Sequence, residues 1–398
     1  MIPLRQSGLA AAAGLAAMLA SACENMPAMS LPLLGPPPIC SDAGLRVDTS
    51  FPAAGRHDCA IAPGGAIVVS VDHEPAVTEG INPSPWFAFR INSDTPRETT
   101  ITLDYTDYTH RYAPWIKRGG AAWEKLPESS LSLNERKTRA TLRVPLKQGE
   151  TYIAAQPISP ASDNIGWTRN SVSGRGFTET KYGVSREGRD LVSFVGGGGI
   201  EVIVALTRQH PPETSGQEAY RAFVERLMKR DDAIATSFRA RHRMIFAPMP
   251  NPDGVDGGNW RLNSGGVDLN RDWGQFTQPE TKALSDWIMA QAGDRRVVAM
   301  MDFHSTDRTV IYAPPLESPS PTIGFLTHLK KAFDTRLKAP PEWTYSHNPA
   351  GGTSKGWALE ALKAPGITVE LWDQSSMEDA RSLGAAAADA LVEYFARQ

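Results

Sequence analysis

Two histidines and one glutamate in this chain have the residue types and spacing of a metal site. His210 and Glu213 lie three residues apart after an apolar run, and His304 follows a later apolar run. Two imidazoles and one carboxylate are a common ligand set for a catalytic zinc ion, which keeps one coordination position for water. Glu370 offers a further carboxylate of the kind that accepts a proton from such a water. These residues predict one Zn²⁺ site, although a His-x-x-Glu pattern taken alone is weak evidence for a metal and more often forms a solvated turn.

Each of these side chains follows or ends an apolar run that is typical of a buried strand. Longer stretches with the apolar spacing of helices separate the runs. The runs cover residues 191–195, 200–206, 244–247, 297–301 and 367–371. This alternation predicts an α/β fold with a mixed β-sheet flanked by helices. Because open α/β sheets place their crevices at the carboxyl ends of the strands, we expect the four side chains to meet in one site.

The region before these runs has the pattern of an all-β domain. Short runs of branched and aromatic residues alternate with clusters of turn-forming residues. The runs cover residues 66–71, 86–91, 99–105 and 152–155. We therefore predict a β-sandwich over residues 45–159, followed by the domain with the candidate site over residues 160–398.

Composition excludes several classes of protein. The chain has 398 residues, of which 41% are hydrophobic, so it can bury a large core and is not disordered. Its 41 basic and 44 acidic side chains give a net charge of −3. Without a basic field, neither nucleic acid nor another polyanion is an expected partner.

The N-terminus has the pattern of an export signal. Arg5 precedes an apolar run over residues 9–19, and small residues lie just before Cys23. The run is much shorter than the ~20 residues that a membrane-spanning helix needs. We expect an export signal over residues 1–22 and a proline-rich tether over residues 23–44. The small residues before Cys23 resemble a bacterial lipobox, which implies a periplasmic lipoprotein attached to the membrane through this cysteine; plain cleavage of the signal is the alternative.

The remaining cysteines, Cys40 and Cys59, are expected to form a disulfide. Export brings the chain into an oxidising compartment, where two cysteines have a single possible pairing. Two buried free thiols are the alternative.

Six short motifs in a fixed order resemble the zinc metallocarboxypeptidases, in the branch similar to the cytosolic carboxypeptidases. The segment that begins at Ile81 is similar to the β-rich domain that precedes the catalytic domain in that branch. The six motifs are HPPE, NPDG, GNWR, DLNRDW, DFHS and TVE. The resemblance implies a zinc carboxypeptidase catalytic domain over residues 160–398, with peptides as substrates hydrolysed at the C-terminal peptide bond.

The resemblance also implies a role for each matching residue. His210, Glu213 and His304 match the zinc ligands, and Glu370 matches the general base. Arg261 matches the arginine that stabilises the oxyanion of the reaction. The other matches are Asn270 and Arg271, which hold the terminal carboxylate of the substrate, and Asp268, which orients a zinc-binding histidine. Asp302, two residues before His304, is a further candidate for orienting a zinc-binding histidine. The alternation of side chains along the strand leaves open whether Asp302 points toward the site.

Specificity is predicted from the segment before Glu370. Gly-Thr-Ser-Lys at residues 352–355 resembles the Gly-Thr-Gly-Arg run of the deglutamylating branch, which places Lys355 where a cation would bind an acidic C-terminal side chain. A solvated loop lysine is the alternative. Tyr345 is the candidate for the tyrosine that covers the bound terminus. Two other functions stay open: an amidase or deacylase on the same scaffold, and a degenerate protein that binds cell-wall fragments.

Overall fold

The computed structural model of the chain describes residues 39–77, 84–106 and 108–396. The predicted export signal at residues 1–22, the predicted lipid site Cys23 and most of the predicted tether lie outside these residues. Within the described ranges, no helix is both long enough and apolar enough to cross a membrane.

The N-terminal region is built from two β-sheets. One has six strands in the order β1-β2-β5-β11-β7-β8, and the other has five in the order β3-β4-β6-β10-β9. The strands are β1 (Cys40–Asp42), β2 (Leu45–Asp48), β3 (His57–Ile61), β4 (Ile67–Val71), β5 (Ala88–Ser93), β6 (Arg97–Tyr105), β7 (Trp115–Arg118), β8 (Glu124–Lys125), β9 (Leu131–Leu133), β10 (Arg139–Leu146) and β11 (Gly149–Ala154).

The two sheets share one hydrophobic core. Along most of the strands alternate residues point inward, as Val47 and Ile91 do from the first sheet and Val69 and Leu103 do from the second, all with no exposed surface. This alternation is the pattern of a sheet with one face buried. The β-rich region predicted before the site domain is therefore confirmed, while its exact domain boundaries stay predictions.

The prediction that the tether extends to residue 44 is wrong at its end. Strand β1 pairs antiparallel with β2, with Cys40 opposite Val47. Cys40 also forms a disulfide with Cys59, and the two Cα atoms lie 5.6 Å apart. Because β1 and β3 belong to different sheets, the bridge joins the two layers of the sandwich. Backbone pairing and the covalent bond together fix a segment whose composition resembles a linker.

Loss of this disulfide is expected to destabilise the protein. The bridge closes a loop with a sequence separation of 19 residues. The chain-entropy model therefore gives it a contribution of about 3 kcal/mol to the free energy of unfolding. Denaturant unfolding of the Cys40→Ser/Cys59→Ser double variant should show a lower midpoint than oxidised wild type, with a slope that is equal or larger because the unfolded chain without the bridge is more expanded. The same midpoint for oxidised wild type and this variant would contradict the expectation.

The C-terminal region contains an eight-stranded mixed sheet in the order β12-β13-β15-β14-β16-β19-β17-β18. Its strands are β12 (Phe177–Val184), β13 (Asp190–Gly196), β14 (Glu201–Thr207), β15 (His242–Ala247), β16 (Arg296–Thr306), β17 (Val310–Ala313), β18 (Glu342–Tyr345) and β19 (Gly366–Trp372). The helices are α1 (Ala161–Val172), α2 (Thr214–Lys229), α3 (Ala233–Arg241), α4 (Pro252–Asp256), α5 (Pro279–Ala292), α6 (Phe325–Arg336), α7 (Ser354–Leu362) and α8 (Met377–Phe395).

Both faces of this sheet are covered by helices. Along β14, Ile203 packs into a core with α2, α6 and α8, whereas Val204 packs into a second core with α5 and α7. The central strands β15, β14, β16 and β19 run parallel, and the outer pairs β12/β13 and β17/β19 run antiparallel. The predicted mixed sheet flanked by helices is confirmed. Its parallel centre brings the carboxyl ends of β14, β16 and β19 to one edge.

Candidate metal centre

The predicted ligand residues lie at the edge where the carboxyl ends of β14, β16 and β19 meet. His210 lies just past the end of β14, and Glu213 is the residue before α2. His304 lies near the carboxyl end of β16, where it stands opposite Glu370 of β19 in the parallel register. The sheet therefore brings together four residues from three separate parts of the sequence.

A sharp turn after β14 directs His210 and Glu213 back over the sheet. Arg208 has a left-handed backbone with φ of 63°, a conformation that costs a residue with a Cβ about 1–2 kcal/mol. Its side chain is buried, and its guanidinium donates to Gln217 of α2 and, at 3.0 Å, to the carbonyl of Ser159. These contacts hold the turn that the two candidate ligands share.

The donor atoms of the three residues converge on one point. The Nδ1 atoms of His210 and His304 are 3.2 Å apart. The Glu213 carboxylate lies between them, with Oε1 2.8 Å from one Nδ1 and Oε2 2.7 Å from the other. Donors bound at zinc distances around a tetrahedral ion are about 3.3 Å apart. The buried nitrogen and oxygen donors, all within 4.8 Å of one another, therefore fit a zinc ion.

Two aspartates contact the opposite nitrogens of the imidazole rings. Asp268 Oδ1 lies 3.0 Å from His210 Nε2 and also accepts a hydrogen bond from the Asn270 backbone N–H. Asp302 Oδ2 lies 2.9 Å from His304 Nε2, at an angle outside hydrogen-bond geometry. Carboxylates at this position orient a histidine so that its other nitrogen faces the metal. Both rings thus turn Nδ1 toward Glu213.

The direction of Asp302, which the sequence left open, is toward the site. Gln209 and Ser354 both donate hydrogen bonds to its Oδ2 atom and fix the carboxylate next to His304. Residues two apart on a strand share one face, so the spacing of Asp302 and His304 was the available signal. Nothing in the sequence pattern indicated Gln209 or Ser354.

Electrostatics keep the carboxylates of the centre ionised. Burial alone raises the pKa of Glu213, but the two adjacent histidines outweigh burial and lower that pKa below its ordinary value. Burial also opposes ionisation of Asp268, yet His210 lowers its pKa. Conversely, Asp302 and Glu213 outweigh burial at His304 and raise its pKa well above the ordinary histidine value. An ionised, buried Glu213 is available as a ligand for a cation.

Glu370 has a different environment from the other acids. Its side chain keeps some solvent access but is closely surrounded by protein, and within the described residues its buried Oε2 atom has no hydrogen-bond partner. Burial raises the pKa of Glu370 to about 7, and Glu213 acts in the same direction while His304 opposes it. A carboxyl group with such a pKa can both accept and release a proton near neutral pH.

The three predicted substrate-contacting residues cluster around Asp268. Arg261 Nε donates to Asp268 Oδ2 at 2.6 Å. Asn270 is buried, and its Oδ1 atom accepts a hydrogen bond of 2.9 Å from the Ser354 backbone N–H. Arg271 is exposed and donates to the Asn270 carbonyl at 2.7 Å. The structure therefore groups all three around Asp268, whose carboxylate contacts the candidate ligand His210.

The two predicted specificity residues have other contacts. Lys355, at the start of α7, donates to the Ser346 carbonyl, and burial lowers its pKa. Tyr345 is partly exposed and stacks on Trp343 with ring centroids 5.7 Å apart. The contacts described for these residues do not include the three metal-donor side chains, so the geometry leaves both roles as predictions.

Comparison with known proteins identifies the C-terminal domain. The model of the zinc carboxypeptidase family matches residues 176–388. Cytosolic carboxypeptidase-like protein 5 from Ailuropoda melanoleuca is 29% identical over 174 residues, which cover 40% of this chain and 19% of that protein. The chain spans only 15% to 33% of the length of the curated relatives that match it first.

Solved structures show the same fold over nearly the whole described chain. A metallo-carboxypeptidase from Burkholderia cenocepacia has a TM-score of 0.75 and 18% identity, covering 88% of this chain and 99% of that one. A metallo-carboxypeptidase from Pseudomonas aeruginosa, in complex with (2-guanidinoethylmercapto)succinic acid, has a TM-score of 0.69 and 16% identity, covering 88% and 99%. Because the family match spans more than half of its residues, this chain belongs to the zinc carboxypeptidase family.

Proposed function

We propose that this protein is a zinc-dependent carboxypeptidase that removes the C-terminal residue of peptides. The observation that carries the proposal is the convergence of His210, Glu213 and His304 beside Glu370, whose Oε2 atom has no hydrogen-bond partner in the part of the chain that the structure describes. Bound zinc would supply a Lewis acid that activates water and polarises the scissile carbonyl. The chain itself would bind the substrate, orient it and move the protons.

Glu370 is proposed to move the proton. Its carboxylate takes a proton from the attacking water and then delivers it to the leaving amine, which its pKa of about 7 permits in both directions. Arg261 is proposed to stabilise the negative charge that develops on the carbonyl oxygen. Asp268 accepts a hydrogen bond from the Nε–H of Arg261. The terminal Nη groups of Arg261 are therefore the donors that remain for the substrate.

Asn270 and Arg271 are proposed to bind the terminal carboxylate of the peptide. A planar guanidinium donates two parallel hydrogen bonds to a carboxylate, and the exposure of Arg271 leaves it accessible to a ligand. This contact would select the end of a chain, because an internal peptide bond has no such charge.

Incubation of the purified protein with a mixed peptide library tests the proposal. Mass spectra before and after incubation should show loss of single residues from the C-terminus only, and matched peptides with a C-terminal amide should persist. Faster cleavage of short N-acyl amino acids than of peptides would favour the amidase alternative. Bound zinc without turnover of any substrate would favour the cell-wall-fragment receptor.

We further propose that Lys355 favours peptides ending in glutamate or aspartate. Its ammonium group uses one donor for the Ser346 carbonyl, which leaves two for an acidic side chain. A partly solvated ion pair contributes up to ~1 kcal/mol, so we expect about a fivefold higher kcat/KM for a C-terminal Glu than for Leu. Lys355→Met should remove this preference while cleavage after other residues continues. Equal kcat/KM for Glu, Leu and Lys termini in wild type would contradict the proposal.

The predicted export signal and Cys23 suggest where the substrates would lie. We propose a periplasmic protein, attached to the membrane as a lipoprotein, that acts on periplasmic peptides or on the peptide stems of the cell wall. Metabolic labelling with a fatty acid tests the attachment. In cells that express the full sequence, label should appear on the protein and be lost in Cys23→Ala.

A further inference from the structure

The segment that carries Arg261 is built into the β-sandwich as well as into the site domain. The preceding residue, Trp260, is 7% exposed and packs in the hydrophobic core shared by the two β-sheets. Its indole Nε1 donates a hydrogen bond of 2.8 Å to the hydroxyl of Tyr112, which follows β6. The arginine proposed to stabilise the oxyanion is therefore adjacent to an anchor in the other domain.

A single buried carboxylate of the β-rich region, that of Glu74, binds the backbone N–H groups of both Trp260 and Arg261. Glu74, which follows β4, is 5% exposed. Its Oε2 atom accepts a hydrogen bond of 3.0 Å from the Trp260 N–H, and its Oε1 atom accepts one of 2.8 Å from the Arg261 N–H. Charged acceptors make shorter and stronger hydrogen bonds than neutral ones, and a buried pair of this kind leaves the backbone little freedom.

Close backbone packing fixes the rest of the segment against the same domain. Gly258 has a φ of +68°, and a Cβ at this position would overlap the carbonyl oxygen of Ala54. The Ala53 N–H donates to the Asp256 carbonyl at 2.9 Å, and Arg56 donates to the side chain of Asn259 at 3.3 Å. These contacts position the backbone before Arg261, whereas Glu74 holds the arginine's own N–H.

We propose that Glu74 is a positioning residue for Arg261, so that the β-sandwich forms part of the active site. The inference rests on the proposed function only through the role of Arg261. Glu74 aligns the backbone of Arg261, and Asp268 then aligns its guanidinium. Without Glu74 the guanidinium would no longer be held at one position relative to the metal centre.

Loss of the Glu74 carboxylate is expected to lower kcat rather than to change KM. An interaction made mainly in the transition state changes kcat, whereas a contact to the bound substrate changes KM. In Glu74→Gln the side chain keeps one acceptor, and its NH₂ group faces a backbone N–H that loses its partner. We expect kcat to fall at least tenfold and KM to stay within threefold of the wild-type value.

A readout that needs no turnover tests the positioning directly. The NMR signal of the Arg261 Nε–H, which Arg261→Lys identifies by its loss, reports exchange with solvent at the bond to Asp268. We expect this exchange to be at least tenfold faster in Glu74→Gln. Tyr112→Phe, which removes only the acceptor of Trp260, should give about a threefold increase and remains informative where Glu74→Gln does not fold.

Asp48→Asn is the matched control. Asp48 is also a buried carboxylate of the β-rich region, and its bonds to Arg90 at 2.9 Å and Ser50 at 2.6 Å stay within that region. This variant should lower thermal stability and leave both the Arg261 signal and kcat within twofold of wild type. Exchange at Arg261 that stays within twofold of wild type in both Glu74→Gln and Tyr112→Phe overturns the inference. An inactive wild-type protein overturns the proposed function instead, and the exchange rates still decide the role of Glu74.

Discussion

Replacement of Glu370 by glutamine is expected to lower kcat by about 10²–10⁴-fold, with little change in KM. The amide has nearly the same shape as the carboxylate but cannot accept the proton of the attacking water. Glu370 is outside the set of three metal donors, so bound zinc should stay near one ion per chain. Steady-state kinetics on a peptide with a free C-terminus, together with metal analysis of the same preparation, measures both quantities.

The control for this variant is an acid on another strand of the same sheet. Glu342 lies on β18, and its side chain is 71% exposed. Glu342→Gln removes an exposed acid from the same sheet, two strands away from Glu370 and outside the set of three metal donors, and its kcat should match that of wild type. Unchanged turnover in Glu370→Gln would remove the proposed proton transfer, whatever the zinc content.

The central sheet could be predicted because each of its strands is marked by the residues of that strand alone. Each central strand is a continuous apolar run, since helices cover both faces of a parallel sheet. The rule that parallel strands present their carboxyl ends together then brings His210, His304 and Glu370 to one edge without knowledge of the loops. Family motifs added the residues around Asp268, which no periodicity could have assigned to the site.

The exact residue at which the last helix begins was harder to predict from the sequence. The spacing of Ser375 and Glu378 predicts a capping box at the start of the last helix. The structure instead uses Ser376, whose hydroxyl accepts from the Asp379 N–H at 3.0 Å, so the helix begins one residue later. Both serines are followed three residues later by an acid, and the sequence alone does not distinguish the two caps.

Contacts between the domains were not predictable from sequence patterns. Glu74 and Trp260 are separated by 186 positions, and neither lies in a periodic run that would indicate a partner. An acidic residue between two strands ordinarily predicts an exposed turn. Only the folded chain shows that this carboxylate is buried against the backbone of another domain.

Removal of the metal is expected to abolish turnover and to destabilise the protein. A ligand that binds only the folded state stabilises it by RT ln(1 + [L]/Kd), about 4 kcal/mol when free zinc exceeds Kd by 1,000-fold. Dialysis against a chelator should therefore lower both activity and the thermal midpoint, and added Zn²⁺ should restore both. In His304→Ala, zinc should restore neither, because one of the three donors is missing. Full activity after exhaustive chelation would exclude the metal centre.

Retention of zinc is expected to depend on pH, with protons as the competitor. Zinc binds neutral imidazole, whereas nearby carboxylates raise the pKa of both His210 and His304 despite their burial. As pH falls through these raised values, the histidines take up protons, so zinc affinity should decrease and binding should release protons. Because the shift is upward, the loss should begin at a higher pH than for an unperturbed histidine pair. Zinc titrations by calorimetry in buffers of different ionisation enthalpy measure the released protons, and a pH-independent affinity between pH 5 and 8 would contradict the expectation.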